Sequence, residues 1–262
     1  MRRLFPIYKK FFTSSIQREL EFKANFMANV VQNVLWIAFF ILLLKIVYTN
    51  TATVAGWSEG DSYVLAATVF FTYATLIAFT SSNLMEIPEK VRKGTLDFDL
   101  LKPVDSQFLI SIRKFNFDEI GTILGGIVML FIGLSMNGHV PSILQVGFYL
   151  MMCVCAVLIF YSFQLMMMTL GIWLVRVDNL WVLGEMVYYV ARFPMDIFRS
   201  PLKIILTYYI PIALIASEPT KVLLGRAPLG TIAYATAWTV VFLAISRLFW
   251  RYAMSKYSST GS

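Results

Sequence analysis

The sequence predicts an all-α polytopic membrane protein with six transmembrane helices, and three observations carry that prediction. Of its 262 residues 58% are hydrophobic and only 14% charged, with a mean hydropathy of +0.71, whereas about a quarter of an ordinary soluble domain is charged. Apolar runs close to the ~20 residues that a ~30 Å hydrocarbon core requires recur along the chain. They leave short loops and no room for a separate catalytic domain. Basic residues gather at Arg2, Arg3, Lys9, Lys10, Arg18 and Lys23 and again at Lys90, Arg92, Lys93, Lys102, Arg113 and Lys114, while the first two loops between these sides hold none. That asymmetry places both termini and the central loop in the cytoplasm. Arg192, Arg199, Lys203, Lys221 and Arg226 depart from it, and such a basic patch would attract an anionic head group or substrate.

Residues 1–23 repeat Leu4, Tyr8, Phe12 and Ile16 every fourth position, with Lys9, Lys10 and Arg18 largely on other faces. This is the pattern of a basic amphipathic helix lying on membrane lipid, and Lys9 and Lys10 interrupt the apolar core that a signal peptide needs. The remainder, 24–262, reads as a single transmembrane domain. Its first span, about Ala24 to Tyr48, carries Asn25, Asn29, Gln32 and Asn33, a polar stripe costly to face with lipid and therefore expected against protein. The second, about Ser62 to Met85, places Thr68, Thr72 and Thr75 on one face. Such hydroxyls serve helix packing by bonding back to the preceding turn, with a substrate path as the other reading.

The third span, about Phe117 to Met136, contains Gly121, Gly125, Gly126 and Gly133, a small-residue spacing that permits close backbone approach and signals self-association. The fourth, about Ile143 to Val175, is rich in Met, a soft packing residue, and ends in the polar turn Arg176-Val177-Asp178-Asn179. A fifth begins near Leu180 and sets Glu185, Tyr188, Tyr189 and Arg192 on one face; an ionisable group inside a span is a functional candidate. From 194 to 228 five prolines divide apolar pieces too short to cross. Broken helices at membrane depth need protein or a water-filled cavity around them, which fits a re-entrant hairpin at the outer face. The last span runs from about Leu229 to Trp250.

The polar interruption at 86–116 is the longest water-exposed segment. Glu86 and Pro88 mark a helix start, Gly94 stops the first turns, and Pro103 ends the next element. Between them Leu96, Asp97, Phe98, Asp99 and Leu100 alternate as a strand would, while Leu96, Leu100, Leu101 and Val104 also share a helical face. Periodicity leaves the two open.

The run Glu89-Lys90-Val91-Arg92-Lys93-Gly94-Thr95-Leu96-Asp97-Phe98-Asp99-Leu100-Leu101-Lys102-Pro103-Val104 resembles the segment after the second membrane helix in type-2 ABC exporter permeases, and within them the small six-span branch. The resemblance implies that this loop is the coupling helix docking into a groove of a separate ATP-binding subunit. The implied contacts are Glu89, Arg92, Gly94, Thr95, Leu96, Asp97, Phe98, Leu100 and Leu101. It also implies two permeases per transporter, identical or related, with ATP and Mg held by the partner subunit and no cofactor by this chain.

The sequence itself contains no Gly-X-X-X-X-Gly-Lys-Ser/Thr loop to cradle ATP. One histidine, His139, and two cysteines, Cys153 and Cys155, in an apolar run offer no metal or disulfide spacing, and nothing points to nucleic acid. The expected function is a non-enzymatic permease subunit of an ATP-driven exporter in the bacterial inner membrane, moving a small amphipathic or lipid-like substrate outward. The rival reading is an ion-coupled secondary transporter or channel using Glu185 and Arg192.

Overall fold

The computed structural model describes residues 4–21, 23–174, 180–228 and 230–257. Arg2, Arg3, the side chain of Arg18 and the polar turn at 176–179 lie outside the described residues. Helix α1 is Leu4–Glu21 and α2 is Lys23–Thr49. Helix α3, Glu59–Leu76, opens on a capping box in which Ser58 and Asp61 satisfy each other's backbone N–H. It continues through a π-helical turn at Ile77–Ser81 into Ser82–Leu84.

The loop between α3 and the next span folds as three short helices: α4 Ile87–Arg92, α5 Asp97–Leu100 and α6 Ser106–Ser111. The helical alternative holds for 97–100. Pro88 sits in the first turn of α4, and Gly94, at φ +66°, closes its far end. Helix α7 is Ile120–Met136, α8 is Ile143–Thr169 and α9 is Leu180–Ala191. Two further short helices, α10 Ser200–Ile204 and α11 Ser217–Leu223, precede α12, Gly230–Lys256. The protein is thus an all-α polytopic membrane protein. Five stretches of its described residues, built on α2, α3, α7, α8 and α12, are long and apolar enough to cross a membrane. The stretch read as a fifth span is, among the described residues, a 12-residue apolar helix, α9, and those residues alone are fewer than a simple crossing requires.

The small residues of α7 are spent inside the chain. Gly121 and Gly125 lie against Val30, Asn33 and Ile37 of α2, and Gly126 and Gly133 against α3. This face, read from sequence as a self-association signal, is therefore covered by the chain's own helices. A Cβ on Gly133 would come within 2.7 Å of the Gly60 carbonyl and 2.9 Å of Tyr63 Cβ. Because backbone cannot yield as a side chain tip can, Gly133→Ala is expected to destabilise the fold by about 1–3 kcal/mol, read as a lowered thermal midpoint of the purified protein.

Thr68, Thr72 and Thr75 donate to the carbonyls of Val64, Thr68 and Phe71, at 2.7 to 2.8 Å. Thr68 also receives the hydroxyl of Thr220 in α11 at 3.2 Å and lies 3.1 Å from the hydroxyl of Tyr149 in α8. That buried polar thread ties the proline-rich segment to the helix core. At the same end Arg226 bonds Asp61 at 2.7 Å, while Lys203 and Lys221 converge on Asp196 at 2.7 and 3.3 Å. Partial burial would raise the Asp196 pKa, but hydrogen bonds from Lys203 and Trp57 and the charge of Lys221 outweigh it and bring the carboxyl down to about 2. Three of the late basic residues are thereby engaged by carboxylates of the same chain.

Candidate functional site

The 86–116 loop is a folded knob built around one carboxylate. Asp99, whose side chain is 3% exposed, receives Lys90 at 3.0 Å, Lys102 at 2.8 Å and Arg113 at 3.4 Å. Burial alone would raise its pKa; the hydrogen bonds from Lys102 and Lys90 and their charges prevail, and the net shift is downward. A carboxyl depressed on folding contributes stability above its ordinary range, near 4, and loses it as pH falls through the lower folded value. Asp99→Ala removes the common partner of these cations, of which Lys102 and Arg113 are partly in water and Lys90 keeps Glu86, and is expected to cost the loop about 1–3 kcal/mol. Limited proteolysis at neutral pH should then cleave the loop in the variant and spare it in the parent.

The knob is fastened at several points. The Asn83 side chain donates to the Lys114 carbonyl and accepts from the Lys114 N–H, both at 2.8 Å, so the loop closes on the end of the second span. Arg247 of α12 pairs with Asp105 and donates to Gln107 at 2.9 Å, and Trp250 Nε1 donates to Ser106 at 3.1 Å. Tyr161 of α8 lies 2.7 Å from Ser111. The Phe115 N–H donates to Ser15 of α1, whose Tyr8 and Phe12 rings meet Phe115 edge-on.

These contacts sort the implied docking residues. Leu96 is 0% exposed, in a cluster with Leu84, Ile87, Val91, Ile110, Leu165, Met168 and Trp250, and Leu100 packs partly buried against it. Leu96 therefore belongs to the base of the knob and is not offered to a partner. Its outer surface presents Phe98 at 68% exposure and Leu101 at 81%, with Glu89, Arg92 and Thr95 also exposed, and Gly94 and Asp97 half-buried. Glu89 pairs with Lys93 at 2.6 Å in water, a contact of small energetic weight. Two exposed large apolar side chains on a folded, charged loop are what a docking surface offers.

The candidate substrate residues divide as well. Glu185, Tyr189 and Arg192 line a cleft of about 830 Å³ against α2, with Tyr73 of α3 and the apolar wall of Met27, Val31, Leu35, Trp36 and Phe39. Tyr188 is buried behind it, stacked on Tyr73 with centroids 3.7 Å apart. Tyr73 donates its hydroxyl to Glu185. Arg192 instead lies over the rings of Tyr188, Tyr189 and Trp36, at 4.4, 4.7 and 5.8 Å. Thr68, Thr72 and Thr75 do not line this cleft. Of the polar stripe on α2, Asn33 donates to the Asp118 carbonyl at 2.9 Å, and Gln32 faces the cleft. Tyr73 and Trp36 are contributors that sequence pattern missed, because aromatic residues in apolar runs carry no periodic mark of their own.

Among the described residues no group of His, Cys, Asp and Glu is placed to hold a metal ion. Cys153 and Cys155 are buried free thiols, and His139 Nε2 lies 3.2 Å from the Leu223 carbonyl in the turn after α7. No curated protein and no solved structure matches the chain. The family model for the ABC-2 family transporter protein matches residues 34–261, from the middle of α2 through the knob, the cleft-lining α9 and α12. With that match over most of its length, the chain belongs to the ABC-2 family of transporter proteins, as a membrane permease and not a catalytic enzyme.

Proposed function

We propose that this chain is the transmembrane subunit of an ATP-driven exporter. It works as a pair of permeases with two ATP-binding subunits and moves an amphipathic substrate outward from the cytoplasm or inner leaflet. The observation that carries the reading is the knob after the second span: Phe98 and Leu101 stand exposed on a loop whose base is fastened to α1, α3, α8 and α12. A push on that surface reaches several spans together. ATP and Mg belong to the partner, and this chain supplies docking surface and path.

In this reading the termini and knob are cytoplasmic, as the basic residues of 2–23 and 90–114 favour. α9 brings the spans to six, the pieces from 194 to 228 form a re-entrant hairpin on the outer side, and α1 rests on inner-leaflet lipid. The cleft between α2 and α9 is the path, shared with the second permease across the exposed face of α2. Purification of the chain from its native membrane at low detergent is expected to bring down an ATP-hydrolysing subunit in stoichiometric amount. Transport by the permease alone, driven by an ion gradient, would replace this reading with the ion-coupled one. Glu185 takes the Tyr73 hydroxyl and Arg192 lies over the Tyr188 ring, with no ion pair between the two.

A further inference from the structure

The α2–α9 cleft holds a cation, Arg192, and a carboxylate, Glu185, that do not meet in an ion pair. Arg192 follows the last residue of α9 and lies over Trp36, at the midpoint of α2. A guanidinium at such depth is costly unless it is paired. Three aromatic faces supply part of what it needs. Among the described residues no carboxylate lies within ion-pair distance of it; Tyr188 shares a hydrogen bond with it and the Glu185 charge acts on it at longer range, while its Nε is buried without an acceptor. Glu185, which shares the cleft, already accepts from Tyr73.

We propose that the cleft binds an amphiphile with an anionic head, a phosphate, sulfate or carboxylate on an alkyl or aryl body, and that Arg192 receives the head. This rests on the permease reading only in naming the cleft a path, and it supplies the chemical class of the cargo. The charge supports it: the guanidinium of Arg192 lines the cleft, and an acceptor seated beside it makes a charge-assisted bond in a poorly hydrated site. The shape supports it too, since about 830 Å³ walled by Met27, Val31, Leu35 and Phe39 suits a single apolar body. Trp36 and Tyr189 lie within cation–π range of the guanidinium, contacts that favour keeping the cation at the cleft wall.

The test uses the full chain in nanodiscs of zwitterionic lipid, without nucleotide or ATP-binding subunit, so its outcome is independent of whether such a subunit exists. The probes are 12-bromododecyl phosphate and 12-bromododecyl trimethylammonium, followed by quenching of tryptophan emission, with Trp36→Phe identifying the signal from the cleft. The phosphate probe is expected to quench saturably and the ammonium probe only linearly, as partitioning into lipid does. Arg192→Gln should weaken phosphate binding at least tenfold and Arg192→Lys by less. Val31→Phe, which narrows the cleft without adding a tryptophan and leaves Arg192 in place, should also weaken the saturable phase, with elution volume and thermal midpoint kept near the parent's. Saturable binding of the ammonium probe in preference, equal phosphate binding by Arg192→Gln, or no saturable phase with either probe would overturn the assignment.

Discussion

Phe98→Asp combined with Leu101→Asp is expected to abolish ATP hydrolysis coupled to substrate in the reconstituted complex and to release the ATP-binding subunit during purification, while the permease itself remains folded. Both side chains are largely in water, at 68% and 81% exposure, so a carboxylate at either position is solvated and costs the isolated fold little. In the complex the two would be pressed into an apolar groove. A charge left unpaired there, against a lost apolar anchor, removes several kcal/mol from an interface dominated by a few such side chains. Coupled activity at the parental level, with the subunit still bound, would show that these residues are not the anchor. The parental thermal midpoint is the control for folding.

Leu96→Asp is expected to fail for the opposite reason. It lies two residues from Phe98 in sequence, yet its side chain is sealed among Leu84, Ile87, Val91, Ile110, Leu165, Met168 and Trp250. A carboxylate there replaces close-packed contact with an unsolvated charge, and a loss above about 4 kcal/mol follows. The knob should become accessible to protease, the chain should aggregate on solubilisation, and Leu96→Met should be tolerated at under about 1.5 kcal/mol. Leu96→Asp protein with a parental melt would place this leucine at the surface. The two variants together separate docking from folding within one six-residue stretch.

Sequence showed where the knob begins and where its first two helices stop, because Glu86, Pro88, Gly94 and Pro103 act through local backbone restrictions. It left open whether 96–100 was helix or strand, since a stretch so short satisfies both periods. It also grouped Leu96 with Phe98 and Leu101 as contacts, although one faces inward and the others outward. What decides the facing is remote: Arg247 on Asp105 and Trp250 on Ser106 join residues more than 140 positions apart, and no local pattern encodes such a pairing. The same holds for Asp99. Its three cations come from Lys90, Lys102 and Arg113, and only the folded loop reveals them as one hub. Glycines of α7 were legible as close-approach positions but not the identity of the surface approached, which is α2 and α3 of the same chain. The spans were readable wherever apolar length was ample, and least readable at α9, where the helix is 12 residues long.

The π-helical turn at Ile77–Ser81 sets the angular register of everything below it. Such a turn holds one residue more than an α-helical turn would, and each residue rotates an α-helix by about 100°. Excising a single residue there would restore α-helical phasing and swing Asn83 about a quarter-turn off its clasp with Lys114. Ser81 would swing with it, away from Gln164, to which it now donates at 2.6 Å. The widened turn is thus a phase adjuster: it lets one continuous rod serve two azimuths, the upper half keyed to its helix neighbours and the lower half keyed to the loop.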